Sequence, residues 1–184
     1  MKKVACLLAD GFEEIEGLTV VDMCRRAGID IKTASISDSL EVTSSNGITV
    51  KADCKFDDIK FDEMDMIVLP GGGLGTENLE KFAPLKDVLL SFNEKGKFIS
   101  AICAAPRILG DLGLLKGKKA ICFPGLEGRL TGATVMSNEK CVTDGHIVTA
   151  RGMGASVEFA AAIITQLLGA EKAEEIERQV QFLI

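Results

Sequence analysis

Lys97-Phe98-Ile99-Ser100-Ala101-Ile102-Cys103-Ala104-Ala105-Pro106-Arg107-Ile108-Leu109 is the stretch from which the rest of the chain can be read. The apolar run KFISAI reads as a buried strand that ends directly at a cysteine, and Ala104 to about Leu112 reads as a helix. Small residues (Ala101, Ala104, Ala105) flank the cysteine. This is the layout of a nucleophile elbow, where a sharp turn needs small neighbours and the next backbone N–H can serve an oxyanion. A thiol at a helix N-terminus also feels the positive end of the dipole, which lowers its pKa. The pattern alone leaves a plainer reading beside this one: Cys103 as a small buried hydrophobe, the usual fate of a free cysteine.

Outward from this stretch, strands and helices alternate. KKVACLLA (2–9) reads as a buried strand, Phe12 to Ala27 as a helix closed by Gly28, and IDIKTASI as a second strand. SLEVTSSNGITVKAD reads as two short strands around a two-residue Asn46-Gly47 turn. MDMIVLP is a further apolar strand, ending in Gly71-Gly72-Gly73, with helices near 76–82 and 84–95. Beyond Gly117 come KKAICF, TVMSN, a hairpin around Asp144-Gly145, a helix from about Gly154 to Leu168 and a polar helical tail from Glu171 to Gln181. Such alternation predicts an α/β fold with a mainly parallel sheet covered on both faces. No repeat or linker interrupts it, so residues 1–184 are expected to form one domain.

Composition narrows the chemistry. Lys plus Arg number 21 against 27 Asp plus Glu, a net charge of −6, and no basic run is present. Electrostatic binding to nucleic acid or to an anionic membrane is therefore not expected. The chain has one His, six Cys, no Trp and no Tyr. The cysteines stand at least 18 positions apart, so no C-x-x-C pair of the zinc or thioredoxin type exists. The opening MKKVACLLAD is too short for a signal-peptide core, and no segment approaches the ~20 apolar residues of a membrane span. Reduced thiols in a cytoplasmic protein are the expectation.

In open α/β sheets, ligands bind outside the carboxyl ends of the strands. Three such ends carry unusual residues. The glycine run lacks a Walker Lys and does not fit G-x-G-x-x-G; it suits a backbone whose N–H groups, at Gly72 above all, approach a nucleophile without side-chain obstruction. A turn for chain reversal is the bland alternative. Glu13, Glu14 and Glu16 open a helix, where carboxylates are ordinarily solvated dipole partners. Glu13 and Glu14 fit that role; Glu16, next to apolar Ile15, can instead point inward, stay neutral and hydrogen-bond a thiolate. His146 follows the Asp144-Gly145 turn and reads as a polar hairpin residue, although a Cys-His dyad is compatible with any sequence distance.

DGFEEIE at 10–16, VDMCRRAGI, VLPGGGLGTENL at 68–79, AICAAPRIL at 101–109 and DGHIVTARGMGASVEFAAAI, in this order and spacing, resemble the ThiJ/PfpI superfamily, in the branch of Parkinson disease protein 7 and its bacterial relatives. The resemblance runs from Lys3 to about Gly169. It implies a flavodoxin-like, class I glutamine amidotransferase-like three-layer sandwich, a homodimer, and an oxidation-prone cysteine at the elbow, which is Cys103 here. It further implies Glu16 as the buried acid bonded to that cysteine, and the N–H groups of Gly72 and Ala104 as an anion site. The chain also departs from the pattern. PfpI-type peptidases carry a His directly after the Cys, where Ala104 stands; the Parkinson-protein branch carries a His before a Pro, where Phe123 precedes Pro124. A Cys hydrolase needs such a base, so peptidase activity is not expected.

The resemblance implies two uses for Cys103 and Glu16. One is a glyoxalase or deglycase acting on small dicarbonyls or glycated protein, with Cys103 as nucleophile, Glu16 as general acid/base, and no metal or cofactor. The other is an oxidative-stress sensor or redox-linked chaperone in which Cys103 is oxidised to the sulfinic acid.

Overall fold

A computed structural model describes residues 1–183. Up to the glycine run the chain forms β1 (Lys3–Leu8), α1 (Glu14–Arg26), β2 (Asp30–Ser35), three short strands β3 (Glu41–Thr43), β4 (Thr49–Lys51) and β5 (Cys54–Lys55), and β6 (Met66–Leu69). Beyond it lie α2 (Gly73–Lys81), α3 (Ala83–Glu94), β7 (Phe98–Ile102), α4 (Pro106–Asp111), β8 (Lys119–Ala120) and β9 (Thr134–Val135). The hairpin β10 (Cys141–Asp144) and β11 (Ile147–Ala150) follows, then α5 (Ser156–Leu168) and α6 (Ala170–Gln179).

Seven strands make one sheet in the order β10-β11-β7-β6-β1-β2-β5, parallel throughout except where β10 meets β11. Helices cover both faces, giving the three-layer α/β sandwich. Successive residues of a strand point to opposite faces. Val4, Cys6 and Leu8 of β1 therefore join Met66 and Val68 against Val20 and Phe159, while Ala5 and Leu7 join Ile67 and Leu69 against Leu85 and Leu89. Because both faces are covered, β6 is buried along its whole length and reads as an unbroken apolar run. The strand order reverses beside β1, with β2 on one side and β6 returning on the other. A crevice at the carboxyl ends of β1, β6 and β7 follows from that reversal.

Three local expectations are corrected. The β3–β4 hairpin does not turn on two residues: Thr43 pairs with Thr49, and Ser44 N donates to Ile48 O at 2.9 Å across a longer loop. A two-residue turn of the expected type needs positive φ at both central residues, and only Gly47 has it, at +80°. The second hairpin turns one position later than expected, on Gly145-His146, since Asp144 pairs with Ile147. KKAICF yields strand only at β8, which pairs with β9 in a separate two-stranded sheet, because Ile121 N turns away to Thr149 Oγ1 at 3.0 Å.

Ile67, at the centre of the sheet, has no exposed surface. Ile67→Ala is expected to cost about 2–5 kcal/mol of stability, read as a lower urea midpoint at unchanged slope.

Candidate active site

The site is assembled from the loops that follow β1, β6 and β7. Cys103 ends β7 in the left-handed region at φ +64°. That conformation costs a side-chain-bearing residue roughly 1–3 kcal/mol and persists only when the surroundings impose it. They do so here from both sides: Cys103 N donates to Ala150 O at 2.9 Å, and Phe123 N donates to Cys103 O at 2.7 Å. Ala104 and Ala105, which follow in the turn, are both buried.

The loop after β6 lies against this elbow. Gly71 donates its N–H to Glu16 Oε2 at 2.9 Å. A Cβ on Gly71 would stand 2.6 Å from Cys103 Cβ and 2.7 Å from Glu16 Oε2, so both side chains occupy the space where Gly71 has none. Gly72 has φ +87°, and a Cβ there would strike Gly11 O at 2.2 Å. The loop after β1 is laced to it: Glu13 N donates to Gly71 O at 3.1 Å and Gly75 N to Gly11 O at 3.0 Å. Sequence reasoning singled out Gly72 but passed over Gly71, whose only signal was membership of the triple-glycine run.

Glu16 is wholly buried. Burial raises its pKa to about 7; the Cys103 thiol and the Gly71 N–H pull the other way, and the nearby Glu13 adds to the rise. Cys103 departs from expectation. No net lowering by a helix terminus operates: burial and then the charge of Glu16 push the thiol up to about 12, against the pull of the Gly72 and Ala104 N–H groups. Burial likewise raises Cys6, Cys24, Cys122 and Cys141. What sets Cys103 apart is its company: the Glu16 carboxyl, whose buried Oε1 has no hydrogen-bond partner, and the Gly72 and Ala104 N–H groups all bear on its ionisation. The two titrations are coupled. The acid ionises first, so carboxylate beside thiol is the favoured ionised form of the pair, and a proton on Glu16 removes the charge that opposes ionisation of the thiol.

Glu13 and Glu14 are not solvated. Both are buried, and the Ser45 hydroxyl at the β3–β4 loop lies 3.0 Å from Glu13 Oε2 and 3.3 Å from Glu14 Oε2. His146 is remote from the thiol. Its carbonyl pairs with Ile99 N at the start of β7, whereas Cys103 follows the strand's end, roughly 13 Å further along at the usual rise per residue. Its Nε2 lies 2.9 Å from Asn93 Oδ1, and burial with the nearby Lys118 holds its pKa below the usual range. Phe123 lies at the elbow and is partly exposed; with Pro124, Arg151, Gly152 and Met153 it lines an open cavity of about 340 Å³. All six cysteines are free thiols, and among the described residues no group of three or more His, Cys, Asp or Glu is placed to hold a metal. No helix among them is long and apolar enough to cross a membrane.

This geometry is matched by known proteins. The profile of the DJ-1/PfpI family matches residues 2–166. The chain belongs to the DJ-1/PfpI family. Protein DJ-1 homolog B of Arabidopsis thaliana is 38% identical over 176 residues, 95% of this chain but 40% of that protein, so the chain spans less than half of that relative. A Pyrococcus abyssi protein named a deglycase is 29% identical over 153 residues, 83% of this chain and 91% of its own. The structure of oxidised Toxoplasma gondii DJ-1 superposes with a TM-score of 0.93 at 34% identity, covering 98% of both chains. Ala104 follows Cys103 directly and Phe123 precedes Pro124, and the one His of the chain is His146.

The raised pKa of Glu16 makes a signed prediction. Below its unfolded value near 4.5 both states are protonated and burial carries no charge penalty; as pH rises toward about 7 the unfolded state ionises first, so stability falls across that window. Glu16→Gln keeps the acceptor for Gly71 N–H and removes the titration. The Tm of Glu16→Gln relative to wild type is expected to rise between pH 5 and 8, by the equivalent of at most about 3 kcal/mol. A difference that does not change with pH would contradict a neutral, buried Glu16.

Proposed function

We propose that the chain is a thiol-dependent enzyme of the glyoxalase or deglycase type, needing no cofactor and acting on small reactive dicarbonyls or their adducts with proteins. The observation that supports this reading best is the pair Cys103 and Glu16, brought together where Gly71 has no side chain, with the Gly72 and Ala104 N–H groups pulling the thiol's pKa down. The thiolate adds to the aldehyde carbon of methylglyoxal, and the resulting oxyanion takes up a proton to give a hemithioacetal. Glu16, as carboxylate, removes the proton on that carbon and returns it to the neighbouring one through an enediol, leaving a thioester of lactate. Water cleaves the thioester and restores the thiol. One dicarbonyl and one water become one hydroxy acid, with no net oxidation. An acid titrating near 7 suits both halves of this transfer. The name of the Pyrococcus abyssi relative favours the same class of substrate.

Lactate or glycolate release from methylglyoxal or glyoxal tests the reading. Cys103→Ser is expected to fall to background and Glu16→Gln to lose about 10²–10⁴-fold in kcat. Wild-type turnover no faster than that of Cys103→Ser would remove the enzymatic reading.

A second reading is favoured by the oxidised state named for the Toxoplasma gondii relative and by Phe123, which puts no proton-handling group at the elbow. Here peroxide oxidises the Cys103 thiolate to sulfenic and then sulfinic acid, and the Glu16 proton and the two N–H groups stabilise the new oxygens. Intact mass after mild peroxide is expected to show oxygen added at Cys103 alone; addition spread over several cysteines would speak against it.

The working unit we propose is a homodimer in the cytoplasm. Leu18 and Val157 share one surface depression with Phe182, and Met153, Ala155 and Phe123 share the next, an apolar surface that a second copy could cover. Light scattering is expected to give twice the chain mass at micromolar concentration, and Leu18→Glu to give a monomer.

A further inference from the structure

We propose that Glu80 is a positioning residue for the thiol site: its carboxylate ties together the three backbone segments that fix Cys103. Glu80 lies in the last turn of α2, the helix that Gly72 caps. Arg107, four residues after Cys103 and in the first turn of α4, grips it with both arms of its guanidinium, Nε to Oε1 and Nη2 to Oε2, each at 2.9 Å. Arg129, in the short 3₁₀ turn Glu127–Arg129, adds Nη2 to Oε1 at 3.0 Å and also bonds Asp111. This turn belongs to the segment that starts at Phe123, whose N–H holds the Cys103 carbonyl; Leu126 N returns to Phe123 O at 3.1 Å and Arg129 N to Leu126 O at 2.9 Å. One carboxylate thus joins the helix that follows the glycine loop packed on Cys103, the helix behind the elbow, and the segment that imposes the elbow's left-handed backbone.

Local helix stability does not explain these charges. A carboxylate in the last turn of a helix and a guanidinium in the first turn of another each oppose their own helix dipole. Arg107 is compensated by Glu80, and Glu80 by Arg107 and Arg129. The pair is also shielded: the Arg107 side chain is 12% exposed and that of Glu80 24% exposed, unlike the pairs on the open surface, so solvent screens it less. Nearby, Gly110 lets the Arg129 carbonyl pack onto α4 so closely that a Cβ would lie 2.0 Å away, which leaves the third segment no other path. Lys86 lines the same depression and pairs with neither Glu80 nor Asp111.

The inference rests on Cys103 being the reacting thiol, and its test does not depend on turnover. The probe is iodoacetamide, with alkylation at Cys103 followed by peptide mass across pH, alongside Tm, for wild type, Glu80→Gln, Arg107→Lys and Asp62→Ala. The last breaks the remote surface pair Lys95–Asp62. Loosening the glycine loop and the elbow weakens the pull of the Gly72 and Ala104 N–H groups on the thiol and raises the midpoint of the alkylation profile. In Glu80→Gln and Arg107→Lys it is expected to move up by about 0.5–1 pH unit, with about a three- to tenfold slower reaction below it. Asp62→Ala is expected to leave the profile in place. Arg107→Lys, which keeps the charge and loses the fork, decides the matter should Glu80→Gln not fold. A lower Tm with a profile superimposable on wild type in both variants would overturn the clamp and leave a structural ion pair. An inert Cys103 in the wild type would overturn the thiol reading, and the clamp with it.

Discussion

The site depends on one α-carbon that carries no side chain. At Gly71 the missing Cβ leaves room for Cys103 on one side and the Glu16 carboxylate on the other, with Ile102 O 2.9 Å from the same point. Any larger residue would part the thiol from the acid. The sheet makes this meeting possible. β1, β6 and β7 are neighbours, roughly 4.8 Å apart, so the loops at their carboxyl ends must share one small volume. Positive φ at Gly72 then packs the loop onto Gly11, next to the point where Gly71 bonds the acid, and the Gly72 N–H pulls the thiol's pKa down.

Burial makes the shared proton unequal. Neither group ionises freely beneath the loops, and each raises the cost of charge on the other. A lone buried thiol has no recourse but to stay protonated, as Cys6 does. Cys103 shares that tendency, since the acid beside it ionises near 7 and the thiol near 12; a thiolate there is opposed least while Glu16 holds its proton and the Gly72 and Ala104 N–H groups pull on the sulfur. The elbow is therefore not a low-pKa thiol by helix dipole. α4 begins only at Pro106, three residues beyond the sulfur, and is short. The Gly72 and Ala104 N–H groups pull in the direction a long helix would have, and burial and the charge of Glu16 outweigh them.

Much of this was legible from residues whose type has a geometric reason. The unbroken apolar runs of β1, β6 and β7 announced a doubly covered sheet, and Ala101, Ala104 and Ala105 announced the turn at Cys103. Glu16 was harder, since its neighbours Glu13 and Glu14 share its composition and its place at the start of α1. Those two were misread as solvated, because nothing local records that the β3–β4 loop folds back, with Ser45 N donating to Phe12 O at 2.8 Å and its hydroxyl meeting both carboxylates. The same long-range contact hid the turn itself, since Ser44 and Ser45 serve the tertiary contact instead of a two-residue hairpin. Gly71 and Glu80 were illegible for a like reason. A glycine matters by what fills its empty space, and an ion pair 27 positions apart leaves no periodic trace.

The lack of a histidine at the elbow shapes which reactions fit the pair. Peptide hydrolysis needs a group that takes a proton from the thiol and delivers one to a strongly basic amine as it departs. Glu16 is poorly placed for delivery: Oε2 is bound to Gly71 N–H, and the whole side chain is beneath the loop. Isomerisation of a thiol adduct asks less. The proton leaves one carbon and reaches the next, and a single carboxyl lying against the sulfur can lift it and set it down without exchanging it for another. Oxidation of the sulfur asks less still, only that a proton and two N–H groups remain to face the oxygens. With His146 bonded to Asn93 near the opposite end of β7, the protein retains one proton carrier at its thiol, and the chemistries it suits are those in which one is enough.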